Sequence, residues 1–179
     1  MIFETERLFT RNFEPDDFQT LHELVQNPDI YRYQHWGPNT TEDTQSFIEM
    51  SIAQSQESPR KAYEMPILLK NSQEIIGCIG IRVASVSYKK ANIGYWIKRE
   101  LWGKGFATEA TLGLLEFGFN TLNMNKIYAT ASPENIASIK VLEKSGMTKE
   151  GFLKEDMYVR GEYRDSVLMA ILSSEYKGV

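Results

Sequence analysis

Glu100-Leu-Trp-Gly-Lys-Gly-Phe-Ala-Thr-Glu-Ala110 joins an apolar run to an amphipathic one through two glycines a single residue apart. Without side chains at Gly103 and Gly105, the backbone can turn tightly and aim N–H groups at an anion on the positive end of the following helix. Downstream, Ala107, Thr111, Leu115 and Phe119 recur four apart with Ala110, Leu114 and Phe117 beside them, as one face of a helix requires. Upstream, Tyr63 to Leu69, Ile75 to Val83 and Ala91 to Lys98 are apolar, β-branched runs separated by polar turns such as Lys70-Asn-Ser-Gln73. Three successive antiparallel strands account for them. The glycine junction therefore follows a meander.

The rest of the chain reads outward from this centre. Arg7 to Arg11 is a short strand, and Glu14-Pro-Asp-Asp17 opens a helix that buries Leu21, Leu24 and Val25 and ends at Asn27-Pro28. Tyr31-Arg-Tyr-Gln-His-Trp-Gly-Pro38 has neither helical nor strand periodicity, and reads as a loop that either lines a pocket or caps the core. Thr41, followed by Glu42-Asp43, starts a helix to about Gln56 that buries Phe47, Ile48 and Ile52. Beyond the junction, Lys126 to Ala131 is a strand, and a helix follows from Asn135 with Ile136, Ile139 and Leu142 inward and Gly146 as its stop. Gly151 to Tyr158 and Tyr163 to Leu172 close the chain as two strands around Arg160-Gly161. No repeat or linker interrupts residues 1–179, which read as a single domain.

Composition narrows the classes of partner. A formal charge of −4 argues against general nucleic-acid binding, which needs a basic face. Cys78 is the only cysteine and lies in an apolar strand, so it reads as a buried thiol. With His22 expected on a helix surface and His35 far away in sequence, the residues suggest no metal site. The acidic N-terminus is unlike a signal peptide, and no apolar run nears the ~20 residues that span a bilayer, so a cytoplasmic location with no membrane partner is expected.

Three glycine-loop chemistries compete at the junction. A nucleotide-hydrolysing P-loop needs lysine and then serine or threonine after the second glycine, whereas Phe106-Ala107 follow Gly105. A dinucleotide fingerprint wants a third small residue where Thr108 stands, in a βαβ unit near the start of a parallel sheet. The third is coenzyme A, with its pyrophosphate on the N–H groups of Gly103 to Thr108 and its pantetheine arm along the preceding strand.

The order strand, Gly-x-Gly-x-Ala, helix, strand, Pro133-Glu-Asn-Ile-Ala-Ser138 resembles the GNAT acetyltransferase superfamily. With Thr5-Glu-Arg-Leu8, Tyr95-Trp-Ile-Lys98, Val141-Leu-Glu-Lys-Ser-Gly146 and Glu150-Gly151, the chain is similar to the Rim-type branch that acetylates the N-termini of ribosomal proteins. One departure is Trp102, where the superfamily often has glutamine or arginine. The resemblance implies an α/β fold with a central mixed, mostly antiparallel sheet of about seven strands flanked by about four helices. It implies acetyl-CoA as donor, held by Tyr95, Trp96, Ile97, Lys98, Trp102, Gly103, Lys104, Gly105, Phe106, Ala107, Thr108, Asn135 and Ser138, with Lys98, Arg99 and Lys104 available to the outer phosphates. It also implies a splay or bulge at Tyr95 to Lys98, the Ile97 N–H as oxyanion donor and Ser138 as the acid for the departing thiolate. The base is open. Met157 stands where serine-acetylating relatives carry glutamate, Glu155 and Asp156 lie nearby on alternating faces so that at most one points inward, and Glu64, Glu100 and His35 are further candidates. The acceptor is expected to be a protein or peptide N-terminus. The alternatives are a small amine (polyamine, amino acid or aminoglycoside) and a non-catalytic acetyl-CoA-binding module. Acceptor selection is expected at Tyr31 to Pro38 and at Arg160-Gly161, in a monomer or homodimer.

Overall fold

Ile79, Ile81, Ile93 and Ile97 are almost wholly buried because the central strands that carry them are covered on both faces. The computed structural model describes residues 1–178; Val179, the last residue of the expected domain, lies outside them. In chain order the elements are β1 (Leu8–Thr10), α1 (Phe18–Val25), α2 (Pro28–Tyr31), α3 (Thr41–Ser55), β2 (Ala62–Leu69), β3 (Ile75–Ser85), β4 (Lys90–Ile97), α4 (Phe106–Glu116), β5 (Lys126–Ala131), α5 (Ile136–Lys144), β6 (Thr148–Val159) and β7 (Glu162–Leu172). A wider π-type turn, Phe117–Thr121, prolongs α4. The strands form one 7-stranded sheet in the order β1-β2-β3-β4-β5-β7-β6. Among the described pairs only β4–β5 is parallel.

Strand alternation divides the core in two. On one face Phe13, Leu21, Val25, Ile48 and Cys78 pack together beneath α1 and α3, with Trp96 against them. On the other, Met65, Ile79, Ile81, Ile93 and Ile97 meet Ala110, Leu114 and Leu115 of α4 and Leu142 of α5. The sheet is thus a partition with helices on each side. Cys78 is buried as expected, and burial, together with the charge of Glu64, pushes its thiol well above the ordinary value.

Local chemistry explains where the elements depart from expectation. Asn27-Pro28 ends α1, but it also begins the short α2, because Asn27 Oδ1 accepts from the Asp29 N–H (3.0 Å) and proline suits a first helical turn. α3 does start at Thr41, and Thr40 before it supplies the cap: its Oγ1 accepts from the Asp43 N–H (3.1 Å) while Asp43 accepts from the Thr40 N–H (2.9 Å). Only the threonine three residues before Asp43 can close that box. Ile136 points outward and is 54% exposed, leaving Ile139 and Leu142 to face the core. His22 is half-buried: it stacks on Phe18 at 5.6 Å and its Nδ1 lies 2.9 Å from Thr44 Oγ1.

One irregularity prepares the site. β4 and β5 pair only at Lys90↔Lys126, Ala91↔Ile127 and Asn92↔Tyr128, although β4 runs on to Ile97 and β5 to Ala131. From Ile93 onward the two strands separate. The β3–β4 register stays regular from Gly77↔Ile97 to Val83↔Ala91, so the gap is a splay and involves no bulge in β4 here.

Candidate active site

The glycine junction forms the outer end of the splay. Gly103 and Gly105 have φ of +76° and +83°, which side chains disfavour, and α4 starts at Gly105 with no side-chain cap. Its first-turn N–H groups are therefore available to an anion. Thr5 Oγ1 and the Arg7 N–H donate to Glu109 Oε1 (2.6 and 2.8 Å), Arg7 Nε donates to Glu109 Oε2 (2.6 Å), and Arg7 Nη1 donates to the Lys104 carbonyl (3.2 Å). The Arg7 guanidinium also lies 4.2 Å over the Phe106 ring. The opening Thr5-Glu-Arg-Leu8 segment thus braces the loop. Of the three cations expected at the outer phosphates, Lys98 is paired with Glu74 and Arg99 with Asp29 (3.1 Å). Lys104 alone of the three enters no ion pair among the described residues.

Inside the splay lies a cavity of about 170 Å³ lined by β4, the end of β5, the start of α5 and Met157. Asn135 caps α5 by accepting from the Ser138 N–H (3.1 Å), which fixes the first turn. Ser138 Oγ is then 3.0 Å from Tyr95 Oη, and Tyr95 Oη donates to the Ser138 carbonyl (3.2 Å). Burial raises the Tyr95 phenol to about 12, against the pull of Ser138, so it is a neutral donor at physiological pH. Ser166 Oγ also lines this cavity, is buried, and has no partner among the described residues.

Strand pairing sets the direction of the backbone at the expected oxyanion residue, Ile97. The Lys98 N–H donates to the Ile76 carbonyl on β3 (2.8 Å), so by alternation the backbone groups of Ile97 and Tyr95 face the splay. Ile97 lines neither cavity, and its carbonyl accepts from Trp102 Nε1 (2.6 Å) at the outer end. Tyr95 lines both cavities.

A second cavity, about 710 Å³, opens on the α1–α3 face between α3, the loop after α2 and strands β2 to β4. It shares Gln34, His35, Asn92, Gly94 and Tyr95 with the first, so the two meet at β4. Glu64, Gly80 and Gly94 stand in register on β2, β3 and β4. A Cβ on Gly80 would collide with the Glu64 carboxylate, so that carboxylate lies over Gly80, one strand from Gly94. Burial raises the pKa of Glu64, while Arg82 Nη2, 3.4 Å away, pulls it back.

The other base candidates fare differently. Alternation does not send either Glu155 or Asp156 inward: the β6–β7 register jumps from Leu153↔Ser166 to Met157↔Arg164, Glu155 takes φ of +51°, and both side chains are exposed. Glu100 is exposed beside the glycine junction, outside both cavities, whereas His35 lines both. The sequence left Asn92 and Ser166 unmarked, and no motif distinguishes them. Only strand register brings them to the splay.

Comparison with known proteins agrees with this arrangement. The acetyltransferase (GNAT) domain family matches residues 7–148. The uncharacterized N-acetyltransferase p20 of Bacillus licheniformis is 35% identical over 97% of both chains. YdaF of Bacillus subtilis, provisionally named a ribosomal N-acetyltransferase, is 30% identical over 97% of this chain and 95% of its own. Spermidine N-acetyltransferase of Vibrio cholerae, solved with CoA and spermine, superimposes with a TM-score of 0.81 at 26% identity, covering 95% of this chain and 98% of that one. Among the described residues no helix is long and apolar enough to cross a membrane, and no cluster of metal-binding side chains occurs. A glycine loop braced by the segment that leads into β1, a splayed β4–β5 pair and a family match over most of the length converge: the chain belongs to the GNAT acetyltransferases, enzymes whose acetyl donor is acetyl-CoA.

Proposed function

We propose that this enzyme acetylates the N-terminal amine of a protein or peptide by direct attack on acetyl-CoA. The observation that carries the reading is the Tyr95–Ser138 hydroxyl pair at the meeting of two cavities, one suited to the donor and one to the acceptor. The uncapped amides of Phe106, Ala107 and Thr108, with those of Gly103 to Gly105 and the Lys104 side chain, hold the pyrophosphate; Lys98 and Trp102 sit at the outer end of the strand along which pantetheine lies, whereas the expected donor ligand Trp96 has its side chain on the opposite face, in the wall of the larger cavity. The Ile97 N–H serves that arm. The Tyr95 N–H, deeper in the splay, faces the thioester oxygen and stabilises the oxyanion as charge develops.

The remaining steps are proton transfers. Nucleophilic nitrogen forms a bond to the carbonyl carbon, the carbon–sulfur bond breaks, and sulfur leaves as thiolate. Ser138 Oγ donates a proton to it, held in place by its hydrogen bond with the neutral Tyr95 phenol, and the second proton shed by the acylated nitrogen returns through water to restore the Ser138 hydroxyl. Glu64, across the Gly80–Gly94 trough, takes the proton that the ammonium must lose, directly or through water.

A peptide terminus fits the larger cavity, whose volume exceeds what one amine occupies, and agrees with the Rim-type motifs. A polyamine is the second reading, favoured by Glu64 and Asp43 in the wall and by the spermine-bound relative. Thiol release should be measured with acetyl-CoA against free-N-terminus peptides and spermidine. Turnover of peptides in preference to spermidine is the expected outcome; the reverse selects the polyamine, and acetyl-CoA binding without turnover on any amine selects a non-catalytic module. Ser138→Ala should lose about 100-fold in kcat with acetyl-CoA binding intact, and unchanged kcat would remove Ser138 from the acid role.

A further inference from the structure

The loop after α2 walls both cavities with Gln34 and His35, yet it belongs to no helix or strand beyond Tyr31. Its backbone carbonyls converge on one side chain instead. Arg160 Nη1 donates to the carbonyls of Trp36 (3.0 Å) and Gly37 (2.9 Å), and Nη2 to those of Tyr31 (3.2 Å), Arg32 (3.1 Å) and Gln34 (3.1 Å). Arg164 Nη1 adds a bond to the Arg32 carbonyl (3.0 Å). A planar fork of donors can satisfy several carbonyls at once; an ammonium at one point cannot.

The backbone at Arg160 argues that its side chain, not its turn preference, accounts for its presence. Val159 pairs with Glu162, leaving Arg160-Gly161 as a two-residue hairpin turn with φ of +51° and +87°. Such a turn favours asparagine or glycine at its first position, and arginine is disfavoured there. The strained position instead carries the side chain that makes five of these bonds to the loop.

We propose that Arg160 is a positioning residue for the acceptor: it holds the Tyr31–Gly37 backbone so that Gln34, His35 and Trp36 form a fixed wall. This rests on the reading that the larger cavity receives the amine. Gln34 and His35 touch the donor cavity as well, but the pyrophosphate end of the donor is held by the glycine loop, so losing the clamp weakens acceptor use and leaves acetyl-CoA binding largely intact.

The test compares Arg160→Asn, which suits the turn and lacks the fork, with Arg160→Lys. In Arg160→Asn the melting temperature should stay at or above that of the parent. Hydrogen exchange at the Arg32 and Gln34 amides, which bond within the loop to Pro28 and Tyr31, should quicken by about ten-fold as the charge-assisted bonds are lost. With a free-N-terminus peptide and spermidine as probes, acceptor KM should rise about ten-fold while the KM for acetyl-CoA holds. Arg160→Lys should fall between the two proteins. Unchanged exchange and acceptor KM overturn the proposal, as does a lowered melting temperature with both KM values moving together. The exchange measurement needs no acceptor, so it decides the clamp even if neither amine turns over; absence of turnover in the parent protein counts against the acceptor reading itself.

Discussion

At the scale of single residues, Glu64 shows how much a carboxylate's meaning depends on its neighbours. Its sequence context offers no motif, and it becomes significant only when β2, β3 and β4 align it with Gly80 and Gly94. Burial raises its pKa, with Arg82 opposing. Since a base must be deprotonated, the acid limb of kcat/KM should lie above the ordinary carboxylate range. Glu64→Gln should lower kcat/KM by about 100-fold and flatten that limb. The folded protein binds this proton more readily than the unfolded chain, so ionisation at neutral pH costs stability. The Gln variant should accordingly melt no lower than the parent, and pH–rate profiles with parallel melting curves separate lost chemistry from lost fold. Ser138 and Asn135 were legible because spacing on one helical turn is local. Tyr95 was legible as part of a strand but not as the partner of Ser138, because residues 43 apart meet only in the folded sheet.

Elements add constraints that residues alone do not have. Burial pushes the Glu109 carboxyl up, but the Thr5 hydroxyl, the Arg7 N–H and the Arg7 guanidinium more than reverse this, and its pKa ends below the ordinary value. The sign is then fixed: these bonds stabilise the protein above the unfolded carboxylate pKa, and their contribution is lost as pH falls through the lower folded value. Glu109→Gln should cost about 1–3 kcal/mol at neutral pH by disrupting a partly buried, charge-assisted network. It should also lose stability less steeply on acidification, as melting from neutral pH to about pH 3 would reveal. Periodicity located every long helix and each strand within a few residues, since those patterns follow from which face is buried. It missed α2, a single turn made by an asparagine cap and proline, and although at most one of Glu155 and Asp156 was expected inward, it is a break in register that leaves both exposed.

For the molecule as a whole, the antiparallel meander, the glycine junction and the later strand–helix–strand order were enough to anticipate the sheet. Its strand order was not legible, because β7 enters between β5 and β6 through long-range pairing that leaves no local trace. The proposed acceptor surface was legible only in outline: the aromatic loop and the Arg160 turn stand out in sequence, but their joining is a tertiary fact. The division of space by the sheet has a kinetic consequence. The smaller cavity extends through the splay to α5 and the larger opens on the α1–α3 face, and they touch only along β4 and the loop beside it. Neither reactant need leave for the other to enter, and no acyl-enzyme is required. Initial-rate plots at varied concentrations of both substrates should therefore intersect, not run parallel, and free CoA should compete with acetyl-CoA while leaving acceptor saturation unable to relieve its inhibition. In the proposed function a single sheet, by opening one pair of strands, becomes a window through which two molecules on different sides exchange an acetyl group without exchanging places.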